Sequence, residues 1–507
     1  MAQVLHSLII FVQSVLAYFF LPLFALFIGI MIVWRKCVNI VVQIIKARDE
    51  TWIMLPASAT VMVSTSPYGP HSWSVFVTMK VTREAVNLEK LRTDFYHNVV
   101  QRLARNSESK LYPELTSCLT ERFGYYFWKH CPTFSIEEQI HYLDFPEIQN
   151  VEDPHDMNKL SNYLLRGRRW KEGKPLWEVL LLRNKGVKSL VIFRIHHVIG
   201  DGHSILNMWD KVFTTKDARP VLQGAPVQQK RDESSLDKIC SVILAPYHLV
   251  KLFRSLSMNR DKLPCIEADP EVETVCAAST EGLPMTEMKA IRAKFHVSFL
   301  PVLLAGLAGA VRQSFVTKGI KIPEKIPVLS IIPRGIHPEQ NLNHGTICII
   351  LLPVGESDPV QRLKMISTSV TSYIKSSLPN FLYLIGLCEG SLPIPLVRAI
   401  NKNPKDDVPL VLTNVVGPPN RCFVAGEEIA RIQMGQNIPL QFSSGFAYGI
   451  AFLSYDGDTT LGAIGLEDYF PNLTIPQKIM ADCINEWKVL LDANIDKHEG
   501  VSRTFAV

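Results

Sequence analysis

The feature that most limits the fold of this chain is an unbroken apolar run near its start, LIIFVQSVLAYFFLPLFALFIGIMIVW, covering Leu8 to Trp34 without one charged side chain. As a helix rising about 1.5 Å per residue it reaches roughly 40 Å, more than the roughly 30 Å of hydrocarbon in a bilayer. One tilted transmembrane helix therefore fits. The run is too long for the apolar core of a signal peptide, no basic stretch precedes it and no small-residue cleavage pattern follows, so removal is not expected. Basic residues come after it, at Arg35, Lys36, Lys46 and Arg48. Their excess on one side assigns the rest of the chain to the cytosol. Pro22 divides the run and permits either a kinked span or a re-entrant hairpin, of which the span is preferred.

The remaining chain reads as globular. Of 507 residues, 47% are hydrophobic and 20% charged, and 53 basic against 48 acidic residues leave a net charge of +5. No basic stretch is interleaved with aromatics, which argues against a nucleic-acid partner. Ten cysteines are scattered without a C-x-x-C pair or His-Cys spacing, so neither a disulfide framework nor a metal site is expected. Beyond the anchor at 1–50 the chain divides into a first half at 51–224, a linker at 225–269 and a second half at 270–500. In the first half, alternation over Ser72 to Met79 predicts a strand, helical periodicity covers Val86 to Leu103, and Leu176 to Leu182 and Ser189 to Ile195 read as buried strands. The linker holds the polar stretch QQKRDESS and an apolar helix candidate from Leu236 to Leu256, interrupted by Pro246, which either lies on the membrane surface or packs on the second half. The second half offers a small-residue helix at Val302 to Arg312, strands at Thr346 to Leu352, Leu410 to Val416 and Gly449 to Ser454, and a loop-rich region around Leu392 to Asp407. This mixture predicts an α/β (α+β) layer fold.

The chemistry concentrates at the end of the second buried strand, in His196-His197-Val198-Ile199-Gly200-Asp201-Gly202. Imidazoles at the C-terminal edge of a sheet stand where ligand crevices commonly form, and Asp-Gly permits a sharp turn into a helix near Ser204. The ordinary pKa of histidine suits proton transfer at neutral pH, and a carboxylate four residues on can fix the turn that aims the ring. Isolated histidines such as His71 and His97 read as surface or core residues; the whole pattern does not. There is no G-x-S-x-G elbow, H-E-x-x-H, Walker loop or G-x-G-x-x-G after a strand, which argues against serine hydrolases, zincins, NTPases and dinucleotide enzymes. A base without a covalent nucleophile points to direct attack.

These residues, with others in order, resemble the wax ester synthase/diacylglycerol acyltransferase family of the CoA-dependent acyltransferase superfamily. HHVIGDG is similar to its H-H-x-x-x-D-G motif, Lys174-Pro175-Leu176-Trp177-Glu178 to its P-L-W-E block, and Val302 to Arg312 to its small-residue helix. Leu352-Pro353, Asp358-Pro359, Arg362-Leu363, Thr413-Asn414-Val415-Val416-Gly417-Pro418 and Ser454-Tyr455-Asp456-Gly457 continue the resemblance, which spans about residues 55 to 495. One departure is Leu300-Pro301, where the family carries Asn-Asp; two polar groups expected near the active centre are missing.

The resemblance implies two chloramphenicol-acetyltransferase-like domains with mixed sheets and flanking helices around a tunnel, behind the N-terminal transmembrane helix. It implies acyl-CoA as co-substrate with no cofactor, and a long-chain alcohol or diacylglycerol drawn from the bilayer as acceptor. His197 would be the base and His196 would shape the site. Asp201 would be a structural salt-bridge partner facing away from the substrates, and Gly202 would supply the turn. Asn414 would either contact the tetrahedral oxyanion or satisfy a strand end. Endoplasmic reticulum is the expected membrane, plasma membrane the alternative. A lipid-binding or lipid-transfer protein on the same fold is the rival reading.

Overall fold

A computed structural model describes residues 2–46, 50–69, 72–82, 86–105, 107–183, 189–216, 235–259, 263, 275–335, 337–401, 408–436, 448–466 and 472–494. Arg48, His71 and most of the linker, including all of QQKRDESS but its last serine, lie outside these residues.

The apolar run belongs to one continuous helix, α1 (Ala2–Ile45), with Pro22 inside it. The hairpin that Pro22 permitted is not adopted. A lone proline removes one hydrogen bond, and the apolar turns on either side continue the helix across it. Strands β1 (Trp52–Met54), β3 (Ser117–Arg122) and β4 (Tyr125–His130) form a small sheet in the order β1-β4-β3. Val38 and Val42 of α1 pack on it through Trp52, Tyr125 and Phe127.

The first large sheet has the order β12-β13-β2-β7-β6-β5, from β2 (Ser74–Val81), β5 (Ile140–Leu143), β6 (Trp177–Leu182), β7 (Leu190–His196), β12 (Phe423–Val424) and β13 (Glu427–Gln436). Alternation explains why β7 is buried along its whole length. Val191, Phe193 and Ile195 enter one apolar cluster while Leu190 and Ile192 enter another on the opposite face, as the two-residue period of a strand requires. Helices α2 (Ala57–Thr60), α3 (Leu88–Phe95), α4 (Ile136–Gln139), α5 (Pro154–Asn162) and α6 (Gly202–Trp209) belong to this half. The periodicity read over Val86 to Leu103 is α3 continued by one π-helical turn, 96–100.

The second large sheet, β10-β9-β11-β14-β15-β8, is built from β8 (Val275–Glu281), β9 (Ile326–Pro333), β10 (Gly345–Leu352), β11 (Leu410–Val416), β14 (Tyr448–Tyr455) and β15 (Asp458–Leu466). Between the two halves runs α7 (Ser235–Met258), continuous through Pro246. Helices α8 (Met285–Lys294), α9 (Phe299–Lys318), α10 (Pro359–Lys375), α11 (Leu378–Gly390), α12 (Ile394–Ile400) and α13 (Thr474–Asp492) flank the second sheet. The region read as loop-rich around Leu392 thus contains α12. The small residues of α9 let α13 approach: a Cβ on Gly306 would lie 2.4 Å from Trp487 Nε1, and that indole donates to Val302 O at 2.8 Å. Although α9 is apolar enough to cross a membrane, most of it is buried, so its apolarity is that of a core helix.

The halves are bound by a crossing. Strand β13, from the second half, pairs antiparallel with β2 over Gln436↔Val75 to Ile429↔Val81. Its placement is supported by the resemblance blocks. Gly417 admits Ser454 O where a Cβ would sit 2.4 Å away, and the Tyr455 hydroxyl accepts from Cys422 N and donates to Ile429 O. The interdomain seam therefore lies beside β2 and β7, where the histidine motif begins.

Candidate active site

The motif sits at this seam because β7 pairs with β2 up to Ser74↔His196 and then turns. His196 is fully buried and its Nδ1 accepts the Val198 amide at 3.0 Å, closing the turn. Burial, with the neighbouring His197 and Arg194 charges, lowers its pKa to about 3, so it stays neutral and shapes the backbone. The glycine that this turn requires is Gly200, where a Cβ would lie 2.5 Å from Ser204 Cβ. Gly202 is the first residue of α6; a Cβ there would meet only Val415 Cγ2 at 3.4 Å, an ordinary contact.

Asp201 caps α6 by accepting from Ser204 N at 3.1 Å. The same carboxylate faces the second half, with His337 Nε2 at 3.1 Å and an accepted bond from His344 N at 2.8 Å. Ser204 Oγ adds bonds of 3.0 Å to both Leu342 O and Leu342 N. Burial opposes ionisation of Asp201, but His337 and the two amides outweigh it and bring its pKa to about 2. Burial likewise disfavours the charged His337 ring, and Asp201 reverses this, raising its pKa. Asp201 thus ties the halves together.

What the tie delivers is Asn343. Its Oδ1 lies 2.9 Å from His197 Nδ1 and its Nδ2 donates to His197 O at 3.0 Å. Because the amide nitrogen is committed to a carbonyl, the oxygen must accept, so Nδ1 of His197 carries the proton and Nε2 presents its lone pair. Burial lowers the pKa of His197, only partly offset by Asp201 and Asn343, which keeps the ring neutral. His197 further bonds through its amide to Trp73 O at 2.7 Å. Asn343 carries no signal a single sequence could reveal, since it lies 146 residues from His197 in a segment of no regular structure; only the Asp201–His337 docking brings it there.

His197 lines a cavity of about 580 Å³ that runs between the halves, and Asp201, expected to face away from it, lines it too. Its walls include Met62 with Leu382, Tyr383 and Leu387 of α11, and Met157, Ala278 and Ile464 near the two sheets. Arg334 stacks over Tyr383 at 3.8 Å. A smaller apolar pocket of about 60 Å³ shares His197, Thr413 and Val415 with this cavity and adds Trp209 and Phe213. Asn414, on the same strand, lines only the larger cavity. It is Thr413 and Val415 that face the smaller pocket beside His197. Leu300 and Pro301 are not among the residues lining either cavity; Pro301 is buried in the first turn of α9 and Leu300 packs against the second core. Replacing Asn-Asp here therefore adds apolar packing to the helix start.

The remaining resemblance blocks are structural. Trp177 Nε1 donates to Leu115 O at 2.8 Å, and Glu178 bridges Arg168 and the buried Arg194, each at 2.8 Å.

A two-sheet scaffold with a histidine at its seam, beside an interdomain cavity, is the fold of several solved acyltransferases and condensation domains. A wax ester synthase/diacylglycerol acyltransferase from Marinobacter aquaeolei superposes with a TM-score of 0.54 at 14% identity, over 87% of this chain and 100% of that one. A trichothecene 15-O-acetyltransferase from Fusarium sporotrichioides gives 0.58 at 11% identity, over 87% and 95%. Residues 343–488 match the family model described as the WS/DGAT C-terminal domain. A probable diacylglycerol O-acyltransferase of Mycobacterium tuberculosis is 21% identical over 68% of this chain and 76% of its own length. The Arabidopsis thaliana wax ester synthase/diacylglycerol acyltransferase 2 is 21% identical over 63% and 75%. The chain is therefore similar to the wax ester synthase/diacylglycerol acyltransferase family, whose C-terminal domain model matches within its second half.

Proposed function

We propose that this protein transfers a long-chain fatty acyl group from acyl-CoA to a lipid alcohol, a long-chain alcohol or diacylglycerol, giving wax ester or triacylglycerol. The observation that carries the reading is the His197–Asn343 pair in the interdomain cavity. His197 Nε2 takes the acceptor's hydroxyl proton as the oxygen attacks the thioester carbonyl. The tetrahedral adduct collapses, the carbon–sulfur bond breaks, and the departing thiolate receives that proton from Nε2. No acyl-enzyme and no cofactor takes part. Thr413 and Asn414 are the polar side chains of β11 at hand for the adduct's oxyanion, where a preorganised donor lowers the barrier. Asp201 acts at one remove, by docking the segment that presents Asn343.

Helix α1 is the membrane anchor in this reading, with the catalytic halves on the cytosolic side, in the endoplasmic reticulum or the plasma membrane. Acceptors of this class dissolve in the bilayer, so tethering the cavity there raises their effective concentration. The test is purified full-length protein with labelled acyl-CoA and a mixture of lipid alcohols. The expected result is ester formed in step with CoA thiol release, and no acylated protein by intact mass. Lipid bound without CoA release would instead establish a lipid-binding protein.

A further inference from the structure

α1 is not an isolated span. The Tyr18 hydroxyl donates to Ile243 O of α7, Ile28 packs with Leu392 and Val397 of the α11–α12 region, and Arg35 donates to Gly390 O at 3.0 Å and to Leu55 O. Three elements of the globular body therefore lie alongside the segment that is long and apolar enough to cross a bilayer. Apolar residues stand on their outward faces as well, Ile243, Leu244 and Phe253 on α7, Leu384 on α11, and Leu396 and Ile400 on α12, each between 43% and 58% exposed, with Lys251 an exposed charge on α7. The charged group near them on α12 turns away, since Arg398 donates to Tyr126 OH at 3.1 Å.

The levels along α1 give depths. With Arg35 at the headgroups, Ile28 lies about 10 Å deeper and Tyr18 about 25 Å deeper at roughly 1.5 Å per residue. The α12 level fits the depth of about 5–10 Å at which amphipathic helices rest in a bilayer, and Ile243 of α7 reaches the opposite leaflet. Helix α11 has a second face, because Leu382, Tyr383, Gly386 and Leu387 line the cavity that holds His197. One wall thus separates the cavity from the apolar surface that continues the anchor.

We propose that α7, α11 and α12 form, with α1, a platform sunk in the bilayer, and that the lipid acceptor passes from the near leaflet to His197 past α11. This deepens the acyl-transfer reading and rests on it for the identity of the passing lipid. Continuity with α1 commits the surface to a bilayer rather than to a protein partner.

The test is full-length protein reconstituted in phosphatidylcholine vesicles containing a phospholipid with a photoreactive acyl chain, with labelled peptides located by mass spectrometry. Label in 243–253 and 384–400 as well as in α1 is expected; label confined to α1 overturns the platform. In the double variant L396E/I400E, label in 384–400 should fall at least tenfold. KM for a vesicle-borne acceptor should rise by a similar factor while KM for acyl-CoA holds. An unchanged acceptor KM overturns the lateral route. Absence of any ester from the wild type counts against the acyl-transfer reading and leaves the labelling result standing.

Discussion

Replacing Asn343 by alanine removes both bonds to His197, the 2.9 Å acceptor at Nδ1 and the 3.0 Å donor to its carbonyl. The Nδ1 proton is then buried without a partner, which costs about 1–3 kcal/mol, and the ring is free to rotate or to move its proton to Nε2. If that cost falls on the competent tautomer, at 1.36 kcal/mol per decade kcat drops about 10- to 100-fold. KM for acyl-CoA should change little, because in the proposed mechanism Asn343 acts on the base and not on the thioester. The assay is steady-state CoA release across pH, beside thermal unfolding of the same preparation. Asn343→Asp keeps an acceptor at Nδ1 and adds a negative charge, which favours the protonated ring. It should recover part of kcat near pH 8 while moving the acid limb of kcat/KM upward. A wild-type kcat and an unmoved limb in both variants would refute the tautomer argument.

Three further outcomes follow. Because burial lowers the pKa of His197, wild-type kcat/KM should hold as pH falls past the ordinary imidazole value of about 6.5 and collapse only below it; a limb above 7 contradicts this. Gly200→Ala should lose about 1–3 kcal/mol in chemical denaturation because its Cβ overlaps Ser204, whereas Gly202→Ala should be nearly neutral; equal losses would put the turn elsewhere. For the Asp201–His337 tie, the depressed carboxylate contributes above about pH 4 and is lost as pH falls towards 2. The raised imidazole contributes below about pH 6.5 and is lost as pH rises through its folded pKa. The stability difference between wild type and His337→Ala should therefore be largest between pH 4 and 6.5 and shrink towards pH 9, and a difference that grows on the alkaline side contradicts the pairing.

How much was legible in the sequence differs by kind of residue. Apolar runs announced the strands, buried on both faces in β6, β7 and β14 and only half-buried in β11, and all four lie within a residue or two of their expected bounds. The long apolar helix α1 was legible because 27 consecutive residues carry no charge. The seven-residue motif pointed to His197, since two histidines at the end of an apolar strand break its pattern. Gly200 was missed in favour of Gly202, because a close approach to Ser204 depends on the turn's three-dimensional path. Asn343 was missed for the same reason at longer range: its role exists only after Asp201, Ser204, His337 and Leu342 bring two halves together. The crossing of β13 into the first sheet is likewise a tertiary fact, written in β2 pairing and not in the local pattern of Glu427 to Gln436.

The central claim is that His197 is the base of an acyl transfer from CoA to a lipid alcohol. Its most direct test is the rate of ester formation by full-length His197→Ala against wild type, with equal lipid binding and an unchanged melting temperature as controls. The account predicts a loss of about 10²- to 10⁴-fold, the range a positioned general base supplies. Ester formation by the variant at the wild-type rate would contradict it.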